Sequence, residues 1–184
     1  MYSMKRILFF LALAAGVTTI PAVFPATIEC GSGKKITSLA RAVSLAKPHD
    51  KILLFKGIYH ESLLLIDKPL YIQGIGMPVI DGGGIKDVIT IKGHDVVIKG
   101  IEIRNSGRSS SRDYAGIKMI NAQHCVVEAC RFINTFFGMH LDYSRNCIIR
   151  QNFLDGNAKS ETSSGNGMES ISGKAIVFSS YSIQ

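Results

Sequence analysis

The stretch from His124 to Asn157 is written almost twice over. Cys125, Val127, Phe132 and Asn134 are answered by Cys147, Ile149, Leu154 and Gly156, each 22 positions later. Self-similarity at a short fixed period excludes most globular folds, because each unit buries its apolar face only when a neighbour stacks on it. The rest of the chain has to be read as an extension of that stack.

Upstream, short runs of aliphatic and β-branched residues alternate with Gly, Asp, Asn and Lys, as in KILLF, SLLLI, LYIQG and VITIKG, which reads as strands of three to five residues joined by turns. One strand line runs through Ile72, Ile98, Val127 and Ile149, at offsets of 26, 29 and 22. A second runs through Ile89-Thr90-Ile91, Ile117-Lys118-Met119 and Met139-His140-Leu141. In each triplet the outer pair is apolar and the middle residue polar. Period-two alternation puts the apolar pair inside and Thr90, Lys118 and His140 on the outer face. Each turn therefore contributes at least two strands, stacked in parallel about 4.8 Å apart. The expected fold is all-β: a parallel β-helix, right-handed by the chirality rule for parallel crossovers. The variable spacing argues against a leucine-rich repeat.

The β-helix is expected over residues 23–168, with an amphipathic helix at 36–46 (ITSLARAVSLA), closed by Pro48, capping the open end of the stack. Gly74, Gly100, Gly116, Gly138 and Gly167 are expected at corners, where the chain turns sharply. Asn105 and Asn134 hold matching positions from which their side chains can pair along the stack. Ser106–Asp113 and Ala158–Ser164 are polar insertions between strand lines. The GGG at Gly82 lacks the strand-then-helix context of a phosphate loop.

Residues 1–22 read as a secretory signal peptide, with Lys5 and Arg6 ahead of an apolar run and small residues following. Its apolar run is short for a bilayer, and no later stretch reaches the length of a membrane span, so the mature chain is expected to be exported and without one. Of 21 basic and 14 acidic side chains, two basic ones belong to this leader, which leaves the mature chain near +5. The basic residues are dispersed, and an exported chain makes nucleic acid an unsuitable partner. An acidic polysaccharide remains a possible one.

Cys125 and Cys147 share one repeat position, a spacing that allows either a disulfide or stacked, buried free thiols. Met119 and Met139 fall on inward positions. His124 and His140 lie on different strand lines, so they are weak candidate metal ligands and no metal site follows from spacing. Lys118, His140 and Asp142 share the outer face, where they are candidate binding residues. Lys there can neutralise a carboxylate and His can move a proton. No constellation is assigned as catalytic, and a paired-carboxylate glycosidase site is absent from the pattern.

The chain resembles the NosD family, the exported accessory proteins of nitrous oxide reductase. The resemblance is carried by KGIYHESLLLIDKPLYIQGIGMPVIDGGG from Lys56, VVIKGIEIRNSG from Val96, AGIKM from Ala115, CRFINTFFGMHLDYS from Cys130 and NFLDGN from Asn152. It implies a pectin-lyase-like right-handed β-helix in the periplasm. It implies a non-enzymatic role beside an ABC-type transporter in assembling the copper centre of the reductase, with copper as a possible ligand. These repeats are shared with carbohydrate-binding and sugar-hydrolysing proteins, so the alternative it implies is a lyase- or epimerase-like protein acting on acidic polysaccharide. The third unit, opening at Gly165, breaks off after Met168. That break predicts a frameshifted or truncated chain with an out-of-register tail at 169–184.

Overall fold

Short strands need a neighbour on each side, and here every turn of the chain supplies it to the turns before and after. The computed structural model describes residues 25–155, and beyond them the backbone of strands at 168–171, 177–179 and 182–183. The leader at 1–22 and the second insertion at 158–164 lie outside the described residues.

In chain order, β1 (Thr27–Cys30) leads through α1 (Leu39–Leu45) into a first turn of β2 (Lys51–Phe55), β3 (Ile58–His60) and β4 (Leu64–Ile66). The second turn is β5 (Tyr71–Ile75), β6 (Val79–Asp81) and β7 (Ile89–Ile91), and the third β8 (Val97–Lys99), β9 (Glu102–Arg104) and β10 (Ala115–Ile120). Then come β11 (Val126–Glu128), β12 (Arg131–Ile133) and β13 (Phe137–Asp142), followed by β14 (Ile148–Arg150), β15 (Phe153–Asp155) and β16 (Met168–Ile171). The last turn holds β17 (Val177–Ser179) and β18 (Ser182–Ile183). These strands form a seven-stranded sheet (β1-β2-β5-β8-β11-β14-β17), a six-stranded sheet (β3-β6-β9-β12-β15-β18) and a five-stranded sheet (β4-β7-β10-β13-β16). All strand pairings between consecutive turns are parallel, so the protein is a parallel β-helix of about six turns.

Both expected strand lines have the expected registers: Ile72 pairs with Ile98, Ile98 with Val127 and Val127 with Ile149, while Lys118 sits between Thr90 and His140. A third strand per turn, in the six-stranded sheet, adds the inward ladder Tyr59, Ile80, Ile103, Phe132 and Leu154. The inward ladders, with Ile89, Ile117 and Met139 beside the Thr90–Lys118–His140 line, lie in one buried core. Burying each large apolar side chain contributes about 1.5–3 kcal/mol.

Three expectations need correction. The helix is shorter than 36–46, because Ile36 is drawn into a parallel bridge with Cys30 while Ser38 caps the helix, its Oγ accepting from Arg41 N–H at 3.3 Å. Leu39, Ala42 and Val43 face the core, and α1 packs against β1, β2 and β4. Gly74, Gly116 and Gly138 lie inside β5, β10 and β13 instead of at corners. Finally, register continues past Met168: β16 pairs with β13 (Met139 with Met168), β17 with β14 and β18 with β15. The apolar–polar alternation of the sequence lapses there, since Ser170 is paired in register with Leu141. A parallel ladder is bonded through the backbone, however, and tolerates that lapse.

Candidate functional site

Alternation along β10 and β13 projects Lys118, His140 and Asp142 from the outward side of the five-stranded sheet, and the ladder register places Lys118 beside His140. His140 is nevertheless only 3% exposed. The outer face is covered here instead of solvated. The Phe137 ring lies edge-on to the imidazole with centroids 6.1 Å apart, and Phe136 packs on Phe137. Lys118 Nζ reaches the first polar insertion, donating to the Asp113 carbonyl at 3.2 Å.

Asp87, in the connection before β7, completes this cluster and was invisible to strand periodicity. Its Oδ1 accepts from the Ala115 N–H at 2.8 Å. Burial raises its pKa above the usual carboxylate value, outweighing the Ala115 hydrogen bond and the favourable charges of Lys118 and His140. Lys118 and His140 thus both lie within electrostatic reach of the buried Asp87, while Asp142 stands further along β13, opposite Ile120.

An open groove of about 560 Å³ lies at the corner between the six- and five-stranded sheets, lined in part by His60, Asp81, Asn105, Arg108 and Asn134. Asn105 and Asn134 both adopt left-handed backbone angles, and Asn134 Nδ2 donates to Asn105 Oδ1 at 2.7 Å, the expected pairing along the stack. Asn105 Nδ2 donates in turn to Asp81 Oδ1 at 2.9 Å, and Arg104 Nε to Asp81 Oδ2 at 2.9 Å. Burial alone would raise the Asp81 pKa, but the bonds from Asn105, the Gly83 N–H and Arg104 bring it below its ordinary 3.8. A depressed value means that the carboxylate stabilises the coil above pH 3.8, and that this contribution is lost as the pH falls through the folded value. Asp81→Asn is expected to cost about 2 kcal/mol at neutral pH. It should also flatten the loss of stability that wild type shows below about pH 4 in urea melts. Equal acid slopes for the two proteins would refute the assignment.

His124 stands at a different corner, between the five- and seven-stranded sheets. Its Nδ1 lies 3.8 Å from Asp95 Oδ1, and His94 Nδ1 lies 2.8 Å from Asp95 Oδ2, with all three side chains more than half exposed. The hydrogen bond from His94 and the nearby imidazoles lower the Asp95 pKa. His124 and His140 are therefore not brought together. Among the described residues, no three His, Cys, Asp or Glu side chains are arranged to hold a metal ion.

Directly inside that corner, Cys125 and Cys147 are fully buried and stacked on adjacent rungs, bracketed by the Gln123–Arg145 bridge and the Val126–Ile148 pair. Of the two arrangements the spacing allows, the structure has the free thiols. The hydrogen bond they share raises the Cys125 pKa and lowers that of Cys147. Cys30 and Cys130 are also free and buried, each pushed up to about 11 chiefly by desolvation.

The coil, its ladders and its corners define a parallel β-helix of the kind seen in polysaccharide lyases. The solved alginate lyase from Paenibacillus sp. str. FPU-7 is 18% identical, with a TM-score of 0.61 over 85% of this chain and 58% of that one. A rhamnogalacturonan lyase is 12% identical, with a TM-score of 0.59 over 86% of this chain and 53% of the other. At such identities the likeness is one of fold, and the chain spans little more than half the length of either structure. The chain belongs to the NosD family: the family described as "Periplasmic copper-binding protein (NosD)" matches residues 58–183. No curated protein matches the chain.

Proposed function

We propose that this protein is an exported, periplasmic accessory factor that assists assembly of the copper centre of nitrous oxide reductase, working with an ABC-type transporter. The observation that carries the reading is the family match, which extends over residues 58–183, from the first turn of the coil to the last. A β-helix suits this role because its ladders hold a long, rigid surface on which a partner can be aligned, without requiring an active site.

The alternative, a lyase- or epimerase-like protein acting on acidic polysaccharide, would draw on Lys118, His140 and Asp142. The burial of His140 under Phe137 counts against it, since a base that abstracts a sugar proton must reach the substrate. The test is deletion of the gene in its own host, with copper measured in the purified reductase and nitrous oxide followed in the culture. The expected result is a copper-deficient reductase and accumulating nitrous oxide, both reversed by the restored gene. A fully copper-loaded reductase in the deletion strain would overturn the reading.

A further inference from the structure

The groove at the corner between the six- and five-stranded sheets takes one polar side chain from each of four consecutive turns: His60 from the first, Asp81 from the second, Asn105 from the third and Asn134 from the fourth. Rungs stand about 4.8 Å apart, so this row runs about 14 Å along the coil. Its members are held in place by one another. Arg108, from the first insertion, donates Nη2 to Asn134 Oδ1 at 2.8 Å, Asn134 donates to Asn105, and Asn105 donates to Asp81. Each amide spends one N–H and one oxygen lone pair on this chain, and an amide has two of each.

The backbone along the groove is already committed. The N–H groups of Gly84, Asn105 and Asn134 donate to the carbonyls of Asn105, Ile133 and Asp155, and that of Gly83 donates to Asp81. An extended peptide that adds to a sheet needs such groups, and its repeat of about 3.3 Å per residue is out of step with the rungs. Hydroxyl groups both donate and accept, which is what the second N–H and lone pair of each amide call for. A pyranose unit carries several hydroxyls and advances a linear glycan by about one rung. Ile85, 63% exposed, stands at the groove wall with Cδ1 3.9 Å from where a Cβ on Gly83 would lie, a methyl surface for the C–H face of a sugar ring. Arg104 neutralises Asp81, so Arg108 sets the sign of the groove. A guanidinium has five N–H donors in a fork that fits a carboxylate.

We propose that this groove binds a linear glycan bearing carboxylates, about one sugar unit per turn of the coil, with Arg108 on a carboxylate and the asparagine row on hydroxyls. No covalent bond is made or broken. The site uses none of Lys118, His140 and Asp142, and it adds an anchor on an acidic polymer to the accessory-factor reading without depending on it.

The test is calorimetric titration of the purified mature protein with oligogalacturonates and oligomannuronates of two to six units. Affinity for the series that binds is expected to rise up to about four units and then level off, because a longer chain meets no further row. The methyl ester of the same oligomer should bind at least about tenfold more weakly, as should Arg108→Gln with the acid. Asn134→Gly, which copies Gly156 one turn on and suits the left-handed backbone there, should bind at least about threefold more weakly. Circular dichroism melts check that the variants are folded. Arg112→Gln removes the same charge from an exposed position of the same insertion, outside the groove lining, and should bind as wild type does. No binding of either series by wild type overturns the proposal. So does an equal loss in Arg112→Gln and Arg108→Gln, which would reduce the effect to general attraction between charges, and so does shortening of the oligomers on incubation, which would make the protein an enzyme. Failure here leaves the copper content of the reductase in the deletion strain unchanged as the test of the reading above.

Discussion

Gly74→Ala is expected to destabilise the coil by more than about 3 kcal/mol, beyond the usual range for overpacking. Gly74 lies in β5 opposite Leu54, and a Cβ added there would collide with the Gly100 carbonyl oxygen and meet Pro78 Cδ at 2.8 Å. The first contact is with the backbone of the next turn, so relief requires that whole rung to move. Gly100 makes the informative comparison. It has a positive φ of 68°, but a Cβ there has room, with Gly74 O at 3.5 Å as its neighbour. Gly100→Ala should therefore cost only the left-handed backbone penalty of about 1–2 kcal/mol. Urea unfolding of both variants decides the matter. Gly74→Ala no less stable than Gly100→Ala would show that the rungs slide apart cheaply.

Phe132→Ala should cost about 3–5 kcal/mol and lower Tm by roughly 10 °C. Among the described residues Phe132 is the largest fully buried side chain, in the inward ladder of the six-stranded sheet between Ile103 and Leu154. Its ring occupies the space that a side chain on Gly116 would take, since a Cβ there would meet Phe132 Cδ1 at 2.8 Å. Alanine at 132 thus leaves a void next to a residue that has nothing with which to fill it. Phe132→Leu, copying Leu154 of the next turn, should cost about 1 kcal/mol. A thermal melt showing the alanine variant within about 2 °C of wild type would mean that neighbouring rungs collapse onto the cavity.

Two strand lines were legible in the sequence because Ile, Val and Met alternate there with polar residues at a period that survives changes in turn length. The third was harder to see. Its strands are three residues long, and Ile103 and Phe132 each stand alone between polar or partly exposed neighbours. The glycines misled for a related reason: Gly116 marks a close approach between turns, which sequence alone does not distinguish from a bend. The asparagine pairing was readable because both residues recur at one position and tolerate left-handed angles. Among candidate site residues, the Lys118–His140 neighbour relation followed from register. The burial of His140 depends on Phe137, and the partnership with Asp87 depends on a connection whose path no periodicity encodes. His124 gave no spacing signal toward His94 and Asp95, because the three gather only when consecutive turns stack. The shared thiol position was legible from the 22-residue repeat, but the contact between the two sulfurs was not.

The turn from β8 to β11 takes 29 residues and the turn from β11 to β14 takes 22, and the whole difference lies at one corner: residues 105–114 join β9 to β10, where 134–136 suffice to join β12 to β13. The connection from β15 to β16 crosses between the same two sheets. Length is thus decoupled from core geometry along a single seam. Segments can be lengthened, shortened or exchanged there while every interior ladder keeps its register, and the protein is a scaffold whose outer contour is rewritten at one edge.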